Sequence, residues 1–249
     1  MKVAIVGKGG VGKSTISALL GTYGVERGRE VIAIDADPDM NLSSCLGVKN
    51  TAIPLIELED LIAERAGGGG LVKLNPKVSD IPDKFYEKAD GVKLMVFGTV
   101  WSGGSGCTCP ENAFLREVLN HLMLERKEVV VVDMEAGIEH LGRGTGEGVD
   151  ALVAVVEPDH RSLETKWRIE ELAEDIGLAK TYTVCNKVRG AEDREFLLEA
   201  LEEKPLGFIP YSEEIRASSR RGEKVSPDYG QLRESIKEVW AGLVNELRG

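Results

Sequence analysis

The chain is poor in several things whose absence narrows its chemistry. Only four cysteines occur in 249 residues, too few for a disulfide scaffold. In a reducing compartment such thiols are buried, catalytic or metal-binding. Basic residues are in deficit, 31 Lys and Arg against 42 Asp and Glu, for a formal net charge of -11. That balance repels nucleic acid and anionic lipid, so neither is an expected partner. No apolar run is long enough to span a bilayer, and Lys2 to Ile5 leads straight into a glycine loop rather than into a signal segment. A cytoplasmic protein with no membrane partner is expected. What is present is a 42% hydrophobic composition, enough for a substantial core. The length suits one large α/β domain over residues 1–249.

The organising stretch lies almost at the start, Gly7-Lys8-Gly9-Gly10-Val11-Gly12-Lys13-Ser14-Thr15. It follows the apolar strand Val3-Ala4-Ile5-Val6 and opens into a helix over 16–25. Strand, glycine loop, Lys-Ser and helix is the context a phosphate-binding loop requires. The glycines let backbone N–H groups turn inward around phosphate oxygens, and the helix N-terminus adds partial positive charge. Lys13 is expected to reach the β- and γ-phosphates, and the Ser14 hydroxyl to ligate Mg²⁺. A second lysine at the front of the loop, Lys8, exceeds what the common motif carries.

Further apolar runs at 30–34, 92–98, 128–132, 151–156, 181–185 and 206–209 read as strands. Helical patterns fall at 111–125, 163–176 and 191–201, and a C-terminal helix carries Leu232, Ile236, Val239, Trp240 and Leu243 on one face. The alternation predicts a mostly parallel sheet flanked by helices on both faces. That last helix balances Arg233 and Lys237 against Glu234 and Glu238, lacks a basic bias, and is expected to dock on the sheet. Residues from about 50 to 91 are the least regular and read as an insertion decorating the core. The second strand ends in Asp35-Ala36-Asp37-Pro38-Asp39, three carboxylates where parallel sheets place their sites. The strand at 128–132 ends in Asp133, the arrangement in which a carboxylate holds Mg²⁺ through water. Glu135-Ala136-Gly137 and the glycines at 142, 144, 146 and 148 follow, suited to a switch segment.

Cys107-Thr108-Cys109 sits in a glycine-rich loop. The two thiols are either incidental or half of a site. A thiolate metal site wants four ligands, so two copies of the loop meeting on a dimer axis would complete one. Cys45 and Cys185 have apolar neighbours and are expected to pack in the core.

The Lys-Gly-Gly-Val-Gly-Lys-Ser-Thr loop resembles the deviant Walker A class of P-loop ATPases, which includes ParA, MinD and the nitrogenase iron protein. The resemblance implies a homodimer closing on ATP, with Lys8 reaching the partner's nucleotide. Asp37-Pro38-x-x-Asn41-Leu42 resembles that class's first switch, which makes Asp37 the candidate for orienting the attacking water. By the same likeness Asn186 would read the adenine amino group, and the backbone at Ile209-Pro210 would cover the base. Together with the CxC pair, Asp133-Met134-Glu135-Ala136-Gly137 and Val156-Glu157-Pro158, these motifs look like CooC-type ATPases. Those are maturation factors for nickel-containing carbon monoxide dehydrogenase. The resemblance implies Lys8, Lys13 and Asp37 as catalytic groups, and residues Lys8, Gly9, Gly10, Val11, Gly12, Lys13, Ser14 and Thr15 with Asp133 around ATP and Mg²⁺. It implies Zn²⁺ or Ni²⁺ on Cys107 and Cys109 at the dimer interface, with carbon monoxide dehydrogenase or acetyl-CoA synthase as client. Two other functions fit the class. One is an iron protein-like electron carrier with a [4Fe–4S] cluster held by the same cysteines, and the other is a ParA- or MinD-type positioning ATPase.

Overall fold

The computed structural model describes residues 1–48, 53–67, 72–73, 75–98, 110–136, 149–178 and 180–247. In chain order it contains β1 (Lys2–Val6), α1 (Lys13–Glu26), β2 (Val31–Asp35), α2 (Leu42–Cys45), α3 (Glu59–Ala66) and α4 (Ile81–Lys84). These are followed by β3 (Glu87–Ala89), β4 (Val92–Val96), α5 (Pro110–Leu124), β5 (Val129–Asp133), β6 (Ala151–Val156) and α6 (His160–Asp175). The chain finishes with β7 (Thr181–Val188), α7 (Ala191–Ala200), β8 (Gly207–Pro210), α8 (Glu213–Arg221) and α9 (Leu232–Glu246).

The strands form one eight-stranded sheet in the order β3-β4-β2-β5-β1-β6-β7-β8. Every pairing is parallel except β3 with β4. The central strands are buried on both sides, which is why they read as continuous apolar runs rather than alternating ones. Side chains still alternate between two cores. Ala4, Val6, Ile32, Ile34, Val130 and Val132 face one core, with Phe114, Leu115, Val118 and Leu119 of α5 and Ile169 of α6. Val3, Ile5, Val31, Ala33, Val129 and Val131 face the other, with Ile16, Leu19 and Leu20 of α1 and Ile236, Val239 and Leu243 of α9. The expected doubly covered parallel sheet is the observed one.

The C-terminal helix packs on the sheet through its apolar stripe, and Trp240 meets Tyr23 of α1 edge-on at 5.7 Å between ring centroids. The described residues of the segment expected to decorate the core also help to build it. Leu55, Ile62, Ala66, Val78 and Ile81 all enter the first core, and β3 lengthens the sheet. Strand β7 continues past the expected end at Cys185 to Val188, with a register irregularity between those two residues against β8. Among the described residues no helix is long and apolar enough to cross a membrane.

Candidate nucleotide site

The carboxyl ends of β1, β2, β5, β6 and β7 converge, and the loop after β1 sits among them. Gly12 stands at the start of α1 with φ 100°, and a Cβ there would collide with the Asn186 side-chain amide. The loop is braced from β7 on two of its carbonyls. Asn186 Nδ2 donates to Val11 O at 2.7 Å, and Lys187 Nζ donates to Gly10 O at 2.6 Å. Lys187 itself holds a left-handed backbone, φ 59°, which costs a non-glycine residue energy and marks an imposed geometry. Its ammonium also pairs with Glu157 at 2.7 Å.

Lys13 is nearly enclosed, and its Nζ lies 3.1 Å from Asp37 Oδ2, whose side chain is only 9% exposed. Asp37 Oδ1 accepts from the Asp39 amide at 3.0 Å. Asp35 is wholly buried at the end of β2 and accepts from the amides of Asp37 at 3.3 Å and Leu42 at 2.9 Å. Burial pushes its pKa up to about 6 against those two hydrogen bonds. Asp133, its register partner on β5, is wholly buried too, and neither oxygen has a hydrogen-bond partner among the described residues. Burial pushes its pKa up to about 8, only partly offset by the nearby Ser14 hydroxyl and Lys13.

Lys8 is half-buried and points to β6. Its Nζ lies 3.4 Å from Asp159 Oδ2 and 3.8 Å from Glu157 Oε1. Two clefts flank the loop. The one of about 450 Å³ is lined by Gly9, Gly10, Lys13, Ser14, Asp37 and Glu135. The one of about 730 Å³ is lined by Gly12, Asn186, Lys187, Arg189, Pro210 and Tyr211, with the Arg189 guanidinium 3.6 Å over the Tyr211 ring. A larger hollow of about 810 Å³ lies at the opposite end of the sheet, beside Met1, Glu30 and Trp240, away from this charge cluster. Size is a poorer guide here than the converging polar groups.

Of the sequence candidates, Lys8, the loop residues 9–15, Asp37, Asp133 and Asn186 gather in one place. Pro210 lines the second cleft, whereas the Ile209 side chain turns into the core. Cys107, Cys109 and the segment from Gly137 to Gly148 lie outside the described residues. Cys185 is buried as expected. Cys45 packs against the second core as expected, but it is only half-buried and also lines the phosphate-side cleft. Burial pushes its thiol up to about 11 and that of Cys185 up to about 12, which makes both poor nucleophiles near neutral pH. Sequence reasoning did not single out Asp159 or Lys187 as parts of this cluster. It also missed helix α8, whose Ile215 and Ser219 line both clefts.

The site's fit to Mg²⁺ can be judged from its donors. Among the described residues no three His, Cys, Asp or Glu side chains converge to cage a metal ion. One buried carboxyl group whose oxygens have no hydrogen-bond partner among the described residues, beside a serine hydroxyl, suits a hard cation that keeps waters and takes its remaining ligands from phosphate. The residues fit.

Residues 2–225 match the CobQ/CobB/MinD/ParA nucleotide binding domain model. The chain belongs to that family of P-loop ATPases. Within it, the chain is 46% identical over 231 residues to the carbon monoxide dehydrogenase accessory protein CooC of Rhodospirillum rubrum, covering 89% of this chain and 88% of that protein. It is 42% identical over 246 residues to an ATP-binding protein of Methanocaldococcus jannaschii, covering 95% of each. Solved structures share the fold at lower identity. The MinD cell division protein of Aquifex aeolicus aligns with a TM-score of 0.70 at 20% identity, over 98% of both chains. MinD of Pyrococcus horikoshii, solved with Mg-ADP, aligns at 0.69 and 22% over 100% of this chain and 97% of that one.

Proposed function

We propose that the chain is an ATP-hydrolysing homodimer that supports nickel insertion into a carbon monoxide dehydrogenase or the related acetyl-CoA synthase. The observation that carries this reading is the near full-length likeness to CooC. In the resting chain Lys13 is neutralised by Asp37. A triphosphate, with its greater charge, takes Lys13 for itself and frees Asp37 to orient the attacking water. Lys13 from the same subunit and Lys8 from the partner then stabilise charge on the transferring phosphoryl group, a mechanism of positioning and electrostatics. Asp133 and Ser14 would hold Mg²⁺, which supplies further neutralisation of the β- and γ-phosphates. Because the Asn186 amide nitrogen is committed to Val11 O, its oxygen is left to accept from the adenine amino group. The backbone at Ile209 and Pro210 flanks the base.

The cargo ion sits on Cys107 and Cys109 of both subunits, four thiolates in all. Sulfur donors suit Zn²⁺ and can hold Ni²⁺. The test is to produce a nickel carbon monoxide dehydrogenase at limiting nickel with this chain, without it, and with Lys13→Ala. Nickel occupancy of the client should be high only with the intact chain. Equal occupancy in all three would overturn the client assignment.

A further inference from the structure

We propose that Glu157 and Asp159 are positioning residues that hold Lys8 on its own subunit at rest, and that ATP-driven pairing with a second copy of this chain must release it. The inference rests on the reading of Lys8 as the lysine that crosses to the partner.

The hold joins parts of the chain about 150 residues apart, Lys8 in the phosphate loop and the acidic pair that follows β6. The receptor is rigid on its own account. Asp159 caps α6, accepting from the Ser162 amide at 3.0 Å, while the Glu157 amide donates to Ser162 Oγ at 3.0 Å. Glu157 divides its oxygens between two lysines, Oε1 at 3.8 Å from Lys8 and Oε2 at 2.7 Å from Lys187. Lys187 in turn is fixed to the loop through Gly10 O. The movable member is the long Lys8 side chain, while its backbone stays in the turn in which the Val11 amide donates to Lys8 O at 3.3 Å.

The strength of the contact suits a reversible hold. Lys8 is 33% exposed and Asp159 36%, so solvent screens the pair and a triphosphate outcompetes it. Release leaves neither acid without a hydrogen-bond partner. When Lys8 leaves, Glu157 keeps Lys187 and Asp159 keeps the Ser162 amide. A single-subunit encounter with nucleotide therefore need not commit Lys8, whereas the partner's bound triphosphate offers it a stronger anion.

The test uses the full chain with a non-hydrolysable ATP analogue and a chelator that removes zinc and nickel. Mass is followed by light scattering as analogue is added to wild type, Asp159→Asn, Glu157→Gln and Lys8→Ala. Asparagine caps a helix as well as aspartate does, so Asp159→Asn keeps α6 and removes only the charge. Its dimerisation midpoint should fall about two- to fivefold in analogue concentration, the range of half-exposed ion pairs. Glu157→Gln should shift it the same way. The gap from wild type should close at high salt, which a merely structural change would not do. Midpoints unchanged or raised in both acidic variants, with Lys8→Ala unable to dimerise, would overturn the hold while leaving the cross-subunit role intact. Normal dimerisation of Lys8→Ala would overturn both.

Discussion

Asp35 and Asp133 stand opposite one another in the β2–β5 register, both wholly buried, and Asp35 accepts two backbone amides whereas Asp133 takes none among the described residues. Two carboxylates one strand apart thus differ in state. Asp35 spends its oxygens on the amides of Asp37 and Leu42 and ties residues 35–42 into a closed loop. Asp133 has no partner for its oxygens among the described residues beyond the nearby Ser14 hydroxyl, a costly arrangement for a buried polar group unless a ligand completes it.

The first prediction concerns pH. An acid whose pKa rises from 3.8 to about 8 on folding holds, in the native state, a proton that the unfolded chain releases. The stability attributable to Asp133 is therefore full below about pH 4, falls through the window up to about pH 8, and is level above it. Without nucleotide or divalent cation, wild type should lose more melting temperature between about pH 5 and about pH 8.5 than Asp133→Asn does. Parallel melting curves for the two proteins would mean that Asp133 is ionised and compensated in the resting chain.

The Lys13–Asp37 pair gives the second. Lys13→Ala should abolish nucleotide binding, because its ammonium is the enclosed cation of the phosphate-side cleft. Asp37→Asn should bind ATP at least as tightly as wild type, since a competing anion is gone, yet turn over about a hundredfold more slowly. Equilibrium binding and single-turnover hydrolysis separate the two effects. Wild-type turnover in Asp37→Asn would pass the role to Asp39.

Gly12→Ala is the third. Its φ of 100° and the Asn186 amide against the missing Cβ leave no room for a methyl group. The substitution should destabilise the chain by about 1–3 kcal/mol and weaken ATP binding by misplacing Lys13. Calorimetric melting and nucleotide titration check both. An unchanged melt would mean that the loop relaxes without cost.

Much of this was legible because it is local. The loop at 7–15 and the strand ending in Asp133 carry their chemistry in consecutive residues, and the alternation of elements gives the parallel sheet. Other features had local signals that went unread. Ser212-Glu213-Glu214 and Arg220-Arg221-Gly222 are start and stop signals for α8, with Ser212 accepting from the Ile215 amide at 3.2 Å and Gly222 in the left-handed region. Asp90-Gly91, both at positive φ, is a tight-hairpin signature and makes the β3–β4 turn. The expected end of β7 failed for a different reason. Asn186 and Lys187 look like turn formers, but pairing with β8 across an irregular register carries the strand past them. The contacts of Lys8 with Asp159 and of Lys187 with Gly10 had no local signal at all, since they join residues 151 and 177 positions apart.

Titrating Zn²⁺ or Ni²⁺ into reduced, nucleotide-free protein while measuring mass decides whether the chain handles metal as a dimer. Two thiolates per chain supply half of a four-coordinate site. One tightly bound ion per two chains is expected, with dimerisation that follows the same curve and loss of both in the Cys107→Ala, Cys109→Ala double variant with ATP binding intact. One tight ion per chain, or metal retained by the double variant, would contradict it.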